Sequence, residues 1–350
     1  MKKLTALLVC LAMTTAFAAG CGETKENNTA ETATQAETTT EEVTTTAEET
    51  TEETTEEETE SEEDEDDEED YTTGDASLDK VRNEDEIGDN ELLVLSFGTS
   101  FNDSRRLTIG AIEQTLEDAF PNYSVRRGFT ANIVIDHVER RDGILIDDIN
   151  AALERAVNNN VKTLVVQPTH LMSGIEYDEI TEKVASYADA FEKVVFGKPL
   201  LTSDDDFKRV ETAITDWTKD YDDGETAIIF MGHGTEHESN AVYSKMQDLL
   251  SADGFANYFI GTVEAEPSLE DVIAKVKEGG YKKVVLEPLM VVAGDHANND
   301  MAGDDDDSWK SAFESEGLEV ECLLRGLGEN ESIREIYADH ARAAIEEAEQ

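Results

Sequence analysis

The chain has 350 residues, 82 of them acidic and 28 basic, for a formal net charge of −54. The charge is uneven: −22 falls on residues 23–70 and −34 on residues 71–350. So acidic a chain excludes nucleic-acid binding through phosphates, which needs clustered Lys and Arg, and adsorption on an anionic membrane surface.

Met1-Lys2-Lys3 is basic, and Leu4 to Ala19 is almost wholly apolar. That run is too short to span a bilayer and reads as the core of a signal peptide over residues 1–20. Ala18-Ala19-Gly20-Cys21 resembles a bacterial lipobox, with Ala18 where Leu is usual, so lipidation is expected at Cys21. The expectation is an exported protein, lipid-anchored to the outer face of the cytoplasmic membrane and touching the bilayer through that lipid only. Of residues 23–70, 23 are Asp or Glu and 15 are Thr. Such a segment buries too little apolar area to offset its ordering entropy, and its like charges extend it. Residues 21–88 are therefore expected to form a disordered tether. Cys10 leaves with the signal and Cys21 carries lipid, so Cys322 is alone and no disulfide is expected in the folded part.

From Glu91 the composition changes. Leu92 to Leu95, followed by Ser96-Phe97-Gly98-Thr99, reads as a buried strand running into a loop. Helical periodicity follows over 107–120, a strand over 124–129, a helix over 146–158 and a strand over 163–167. This alternation predicts a parallel sheet with right-handed crossovers. The pattern then restarts. Ala227 to Thr235 restates Leu93 to Thr99 and sets His233-Gly234-Thr235 against Phe97-Gly98-Thr99. At an offset of 120, Val165 to Pro168 is echoed by Val285 to Pro288, Gly174 by Gly294, and Glu176 by His296. Two similar α/β half-domains are expected, each a small parallel sheet flanked by helices, facing each other across a cleft. Their bounds are set at 89–215 and 216–350, with a joint near 200–224 marked by Asp204-Asp205-Asp206 and Asp222-Asp223-Gly224. The amphipathic stretch from Ile333 to Ile345 is a closing helix assigned to the second half.

Ligands of open α/β sheets sit beyond the carboxyl ends of the strands. That rule nominates His233, Glu264 (after the strand 258–263), His296 and, in the first half, Glu176. Two imidazoles and a carboxylate suit a first-row divalent metal with open positions, and the same groups move protons. Metal insertion into a macrocycle and metal-assisted hydrolysis both fit such a set. His170 is placed at a core or cleft position, while His137, His237 and His340 read as surface or structural residues. Asp304 to Asp307 is a solvated acidic run that also offers an entry point for cations. No phosphate-binding glycine loop and no Gly-x-Ser-x-Gly elbow is present, and no organic cofactor is expected.

Several strings together resemble a known family: Leu93 to Ser100, Arg140 to Ile144, Phe230 to Gly234, Val291 to Ala302, Asp304 to Lys310, and Gly326 to Asn330. They are similar to the anaerobic cobalt chelatases of cobalamin synthesis, the sirohydrochlorin cobaltochelatases of the class II chelatase group. The likeness runs from about residue 91 to 345 and leaves out the lipobox and the tether. It implies a chelatase-like fold with a tetrapyrrole in the cleft. By its Met-Gly-His motif it places a catalytic His, metal ligand and proton acceptor on His233. It places a second catalytic and metal-binding His on His296, a metal-binding carboxylate on Glu264, and a further catalytic cleft carboxylate on Glu176. Co²⁺ is the implied substrate metal, although the same ligands suit Fe²⁺ or Ni²⁺. Sirohydrochlorin is rich in carboxylates, so an acidic domain needs a locally basic cleft to attract it. Arg127, Arg141 and His170 are assigned to that role, from a first half that also carries Arg105, Arg106, Arg126 and Arg140. The alternative is a tetrapyrrole- or metal-binding delivery lipoprotein that reuses the fold. A homo-oligomer is compatible with the sequence.

Overall fold

The computed structural model describes residues 74–85 and 87–349. The expected signal peptide over 1–20, the lipidation site Cys21 and the tether up to residue 73 lie outside the described residues.

Among the described residues, eight strands form two parallel four-stranded sheets. The first contains β1 (Asn90–Ser96), β2 (Ser124–Phe129), β3 (Thr163–Pro168) and β4 (Lys193–Phe196), in the order β2-β1-β3-β4. The second contains β5 (Thr226–Gly232), β6 (Tyr258–Thr262), β7 (Lys283–Pro288) and β8 (Glu319–Cys322), in the order β6-β5-β7-β8. The two orders are the same, as the 120-residue offset requires. Leu92 to Leu95 and Ala227 to Met231 are fully buried, so both central strands are covered on both faces.

Helices α1 (Asn102–Leu107), α2 (Ile109–Ala119), α3 (Asn132–Asp142), α4 (Ile149–Asn158) and α5 (Ile175–Tyr187) belong to the first half, and α6 (Asp204–Thr218) leads to the second. There α7 (Ala241–Ala252), α8 (Leu269–Gly279), α9 (Trp309–Ser315) and α10 (Glu331–Glu349) follow. Alternate residues of the central strands face different layers. Leu93 and Leu95 pack among residues of α4 and α5, while Ile229 and Met231 pack among residues of α8 and α9. Leu92, Val94, Ile228 and Phe230 share one core with residues of α2, α6, α7 and α10. That common core joins the halves.

Three expectations are corrected here. A boundary at residue 215 cuts through α6. Asp204 to Asp206 do not interrupt the fold: they form the first turn of α6, with Ser203 and Asp206 making a reciprocal capping box. The closing helix α10 does not complete the second half but packs on α2, α6, β3 and β4. Ile333, Ile336 and Tyr337 are buried there, and the Tyr337 hydroxyl donates to the Thr169 carbonyl at 2.8 Å. Finally, residues 75–82 are packed on the domain rather than free. Asp79 and Arg82 are buried against α1, α2 and β2 through ion pairs with Arg105, Arg127 and Glu113.

Candidate metal centre and cleft

β5 delivers His233 at its carboxyl end. The next residue, Gly234, has φ +94°, and a Cβ there would lie 2.8 Å from the Ala265 nitrogen, so glycine is required for the turn. Ladder bonding continues beyond β6: Val263 N donates to Gly232 O at 3.0 Å and Glu264 N to His233 O at 2.8 Å. This fixes Glu264 beside His233. After β7, the loop Leu289 to Asp295 turns back over the strand ends and presents His296 just before a π turn, Ala297–Met301.

These three side chains converge. His233 Nε2 lies 3.5 Å from Glu264 Oε1, and the two imidazole centroids are 4.6 Å apart at 80°. One donor atom from each of His233, Glu264 and His296 falls within 4.8 Å of the others. Both rings are oriented by their far nitrogens. His233 Nδ1 meets the Gly234 carbonyl at 2.8 Å, and His296 Nδ1 meets Asp300 Oδ2 at 2.7 Å. A proton on each Nδ1 leaves each Nε2 lone pair free for a metal. The side chains stay 45%, 54% and 34% exposed for His233, Glu264 and His296, so the centre opens to the cleft. An open three-ligand set is the arrangement of an exchangeable metal rather than a structural one. Asp300 was not anticipated from the sequence; its signal was its place four residues after His296.

The first half repeats the backbone without the ligands. Thr130 N donates to Ser96 O at 2.9 Å and Ala131 N to Phe97 O at 3.2 Å, the counterparts of the Val263 and Glu264 bonds. Phe97 therefore stands where the second half has His233, and Ala131 where it has Glu264. At the third position, Glu176 answers His296. His170 Nε2 lies 3.1 Å from Glu176 Oε2, and His170 is itself nearly buried. Burial works to raise the Glu176 pKa, but the close His170 contact, and the positive charge that His170 and His233 bring when protonated, outweigh it and hold Glu176 below the usual carboxylate range.

Both sets of loops line one cleft of about 740 Å³, inside the usual range for small-molecule sites. Its surface is mostly apolar. Phe97, Phe101, Ile133 and Ile175 contribute from the first half, and Phe97, Ile133 and Ile175 are well exposed. Arg141 lines the cleft, with Nη2 donating to Ser100 O at 2.6 Å while the guanidinium pairs with Asp142. His170 lines it as well, and so does His137, expected from the sequence to be surface or structural.

Arg127 is a correction. Its side chain is 0% exposed and outside the cleft. Nη1 and Nη2 donate to Asp79 at 2.7 and 3.0 Å, and Nε and Nη2 donate to Glu113 at 2.7 Å each. Burial would favour loss of its proton, but these two carboxylates push its pKa further above the usual arginine range. Arg105 is buried likewise, and Arg106 and Arg126 pair with Asp103 and Glu84. Among the described residues that line the cleft, Arg141 is the one Lys or Arg. Asp304 to Asp307 form an exposed loop in which Asp304 pairs with Lys310 at 2.6 Å.

Residues 90–346 match the family described as cobalt chelatase (CbiK). The chain belongs to the cobalt chelatase family. It is 36% identical over 254 residues to the sirohydrochlorin cobaltochelatase of Salmonella typhimurium, covering 73% of this chain and 96% of that one. It is 30% identical over 260 residues to a sirohydrochlorin cobaltochelatase of Nitratidesulfovibrio vulgaris, covering 73% and 90%. The fold is also that of SirB from Bacillus subtilis, solved with Fe³⁺, at a TM-score of 0.53 and 13% identity over 75% of this chain and 98% of that one.

Proposed function

We propose that this cobalt chelatase inserts Co²⁺ into sirohydrochlorin. The observation that carries the reading is the convergence of His233, Glu264 and His296, with both imidazole Nε2 atoms free, at the floor of an apolar cleft. Co²⁺ is a substrate here. The two His and Glu264 hold it from one side, leaving its remaining positions for pyrrole nitrogens. The macrocycle lies against the apolar wall that Phe97 and Ile133 help to form, with its carboxylates directed outward and toward Arg141. Insertion exchanges one divalent ion for two pyrrole protons. As the metal passes to the macrocycle, the released His233 Nε2 accepts one proton. Glu176, ionised at neutral pH and facing the centre from the opposite half, accepts the other. The same ligands bind Fe²⁺ and Ni²⁺, so the metal is set by supply as well as by the site.

The lipobox at Ala18 to Cys21 and the acidic segment after it support an exported, lipid-anchored chelatase. They also favour a second reading, delivery of a tetrapyrrole or metal at the cell envelope. One measurement separates the two. Purified protein is mixed with sirohydrochlorin and Co²⁺, and the absorption change is followed. The chelatase reading expects rapid insertion that falls at least about a hundredfold in His233→Ala/His296→Ala. Equal rates for wild type and variant would leave binding and delivery as the function.

A further inference from the structure

The family match begins at residue 90, yet residues 75–82 are built into the domain. Asp75 caps a single turn, Ala76–Leu78, and this turn brings Asp79 inward. The Asp79 side chain is 4% exposed, and its Oδ2 accepts from Arg105 Nε and from Arg127 Nη1, each at 2.7 Å. Three residues later, the Arg82 carbonyl accepts from Arg127 N at 3.2 Å, extending backbone bonding beside β2. The Arg82 guanidinium lies 3.2 Å from Glu113 and 3.0 Å from Glu117. Arg82 has φ +61°, a conformation that a non-glycine residue keeps only where its surroundings enforce it. This strap is held from several directions.

The two arginines that Asp79 binds are not equivalent. Arg127 has a second carboxylate in Glu113. Arg105 is equally buried; Asp79 is the carboxylate it pairs with directly, and Asp142 acts on it as a more distant charge. Its other donors reach the cleft loop: Nη1 donates to Thr99 O at 3.1 Å and to Ser100 O at 3.4 Å, and Nη2 donates to Asn102. Arg141 holds the same Ser100 carbonyl from inside the cleft. The loop so fixed, residues 97–101, is part of the first half's wall, and its Thr99 packs against Gly294 in the loop that carries His296. A buried guanidinium that loses its directly paired carboxylate is driven toward water, and the carbonyls it holds go with it.

We propose that Asp79 is a positioning residue: by fixing Arg105 it sets the Thr99–Ser100 backbone, and hence the wall against which the tetrapyrrole lies. The identity of the molecule on that wall rests on the chelatase reading. Asp79 touches neither metal nor substrate, so its removal affects the two substrates differently. The ligands of the metal are on the second half, and His233 and Glu264 are fixed there by ladder bonds that do not involve this loop.

The test uses Asp79→Asn and Asp79→Glu in the full chain. For Asp79→Asn the tetrapyrrole KM rises about tenfold, while kcat and the Co²⁺ KM stay within about twofold of wild type. Amide hydrogen exchange at residues 98–101 speeds up about tenfold or more, against unchanged exchange in β5. Asp79→Glu restores both properties part of the way. A purely structural Asp79 would instead lower kcat with the folded fraction and leave both KM values alone. A folded Asp79→Asn protein with wild-type exchange and wild-type tetrapyrrole KM overturns the proposal. So does failure of both variants to fold, which would make Asp79 a determinant of the fold. Should the wild type insert no metal, the chelatase reading fails and the exchange at 98–101 still decides the role of Asp79.

Discussion

His296 and Asp300 stand four residues apart, and the 2.7 Å contact between Nδ1 and Oδ2 fixes which nitrogen is left for a metal. Removing the carboxylate leaves the ligand in place but loosens its ring and lowers its basicity, a change that commonly weakens metal binding ten- to a hundredfold. Asp300→Asn is therefore expected to raise the Co²⁺ KM about tenfold and to leave the tetrapyrrole KM within about twofold. Initial rates over a Co²⁺ series at saturating tetrapyrrole check this; an unchanged Co²⁺ KM would show that the carboxylate does not orient His296. The residue scale also separates what the sequence could tell from what it could not. His233, Glu264, His296 and Glu176 were legible because each follows a buried apolar run, and parallel strands always put such residues at one end. Arg127 was not. It follows the alternation of β2 as any cleft arginine could, and its burial is decided by Asp79, 48 residues earlier, and by Glu113 on α2. Arg141 and Arg127 are the same residue type in similar surroundings of sequence, and only the third dimension assigns one to the cleft and the other to the core.

At the scale of elements, the two β-α-β patterns were legible because β1 and β5 are covered on both faces and so read as continuous apolar runs. The exchange of helices was not. Ile333, Ile336 and Tyr337 declare an amphipathic helix but not which sheet receives it, and the sheet that receives α10 is the first. β1 also carries a polar residue that periodicity ignores. Glu91 is buried beside Ser124 and Leu164, and burial, with Asp147 adding to it, pushes its pKa up to about 8 against the opposing charges of Arg126 and Arg155. Between the ordinary glutamate range and pH 8 the folded state thus holds a proton that the unfolded chain has lost. Stability must fall as pH rises through that window. Glu91→Gln removes the cost. It should leave stability near that of wild type at pH 4.5 and raise it by about 1–3 kcal/mol at pH 8. Urea melts at the two pH values check this, and a difference that does not change with pH would place the proton elsewhere.

At the scale of the whole molecule, residues 71–350 carry a net charge of −34 and the cleft presents Arg141 alone among lysines and arginines of the described lining. The two substrates carry opposite charge. A polycarboxylate tetrapyrrole approaches against the field of the domain, while Co²⁺ is drawn in by it. Added salt shortens the Debye length from about 30 Å at 0.01 M to about 8–10 Å near 0.1 M, which removes the long-range field and leaves contacts inside the cleft less affected. The two KM values should therefore move in opposite directions. Between about 0.01 and 0.2 M NaCl the tetrapyrrole KM is expected to fall about threefold or more, and the Co²⁺ KM to rise by a similar factor. Steady-state rates at fixed pH, with each substrate varied in turn, read both numbers from one preparation. A tetrapyrrole KM that rises with salt would mean that the local charge of Arg141 outweighs the rest of the domain. Attraction of the acidic macrocycle would then be a property of the cleft, and the acidity of the outer surface would serve the metal alone.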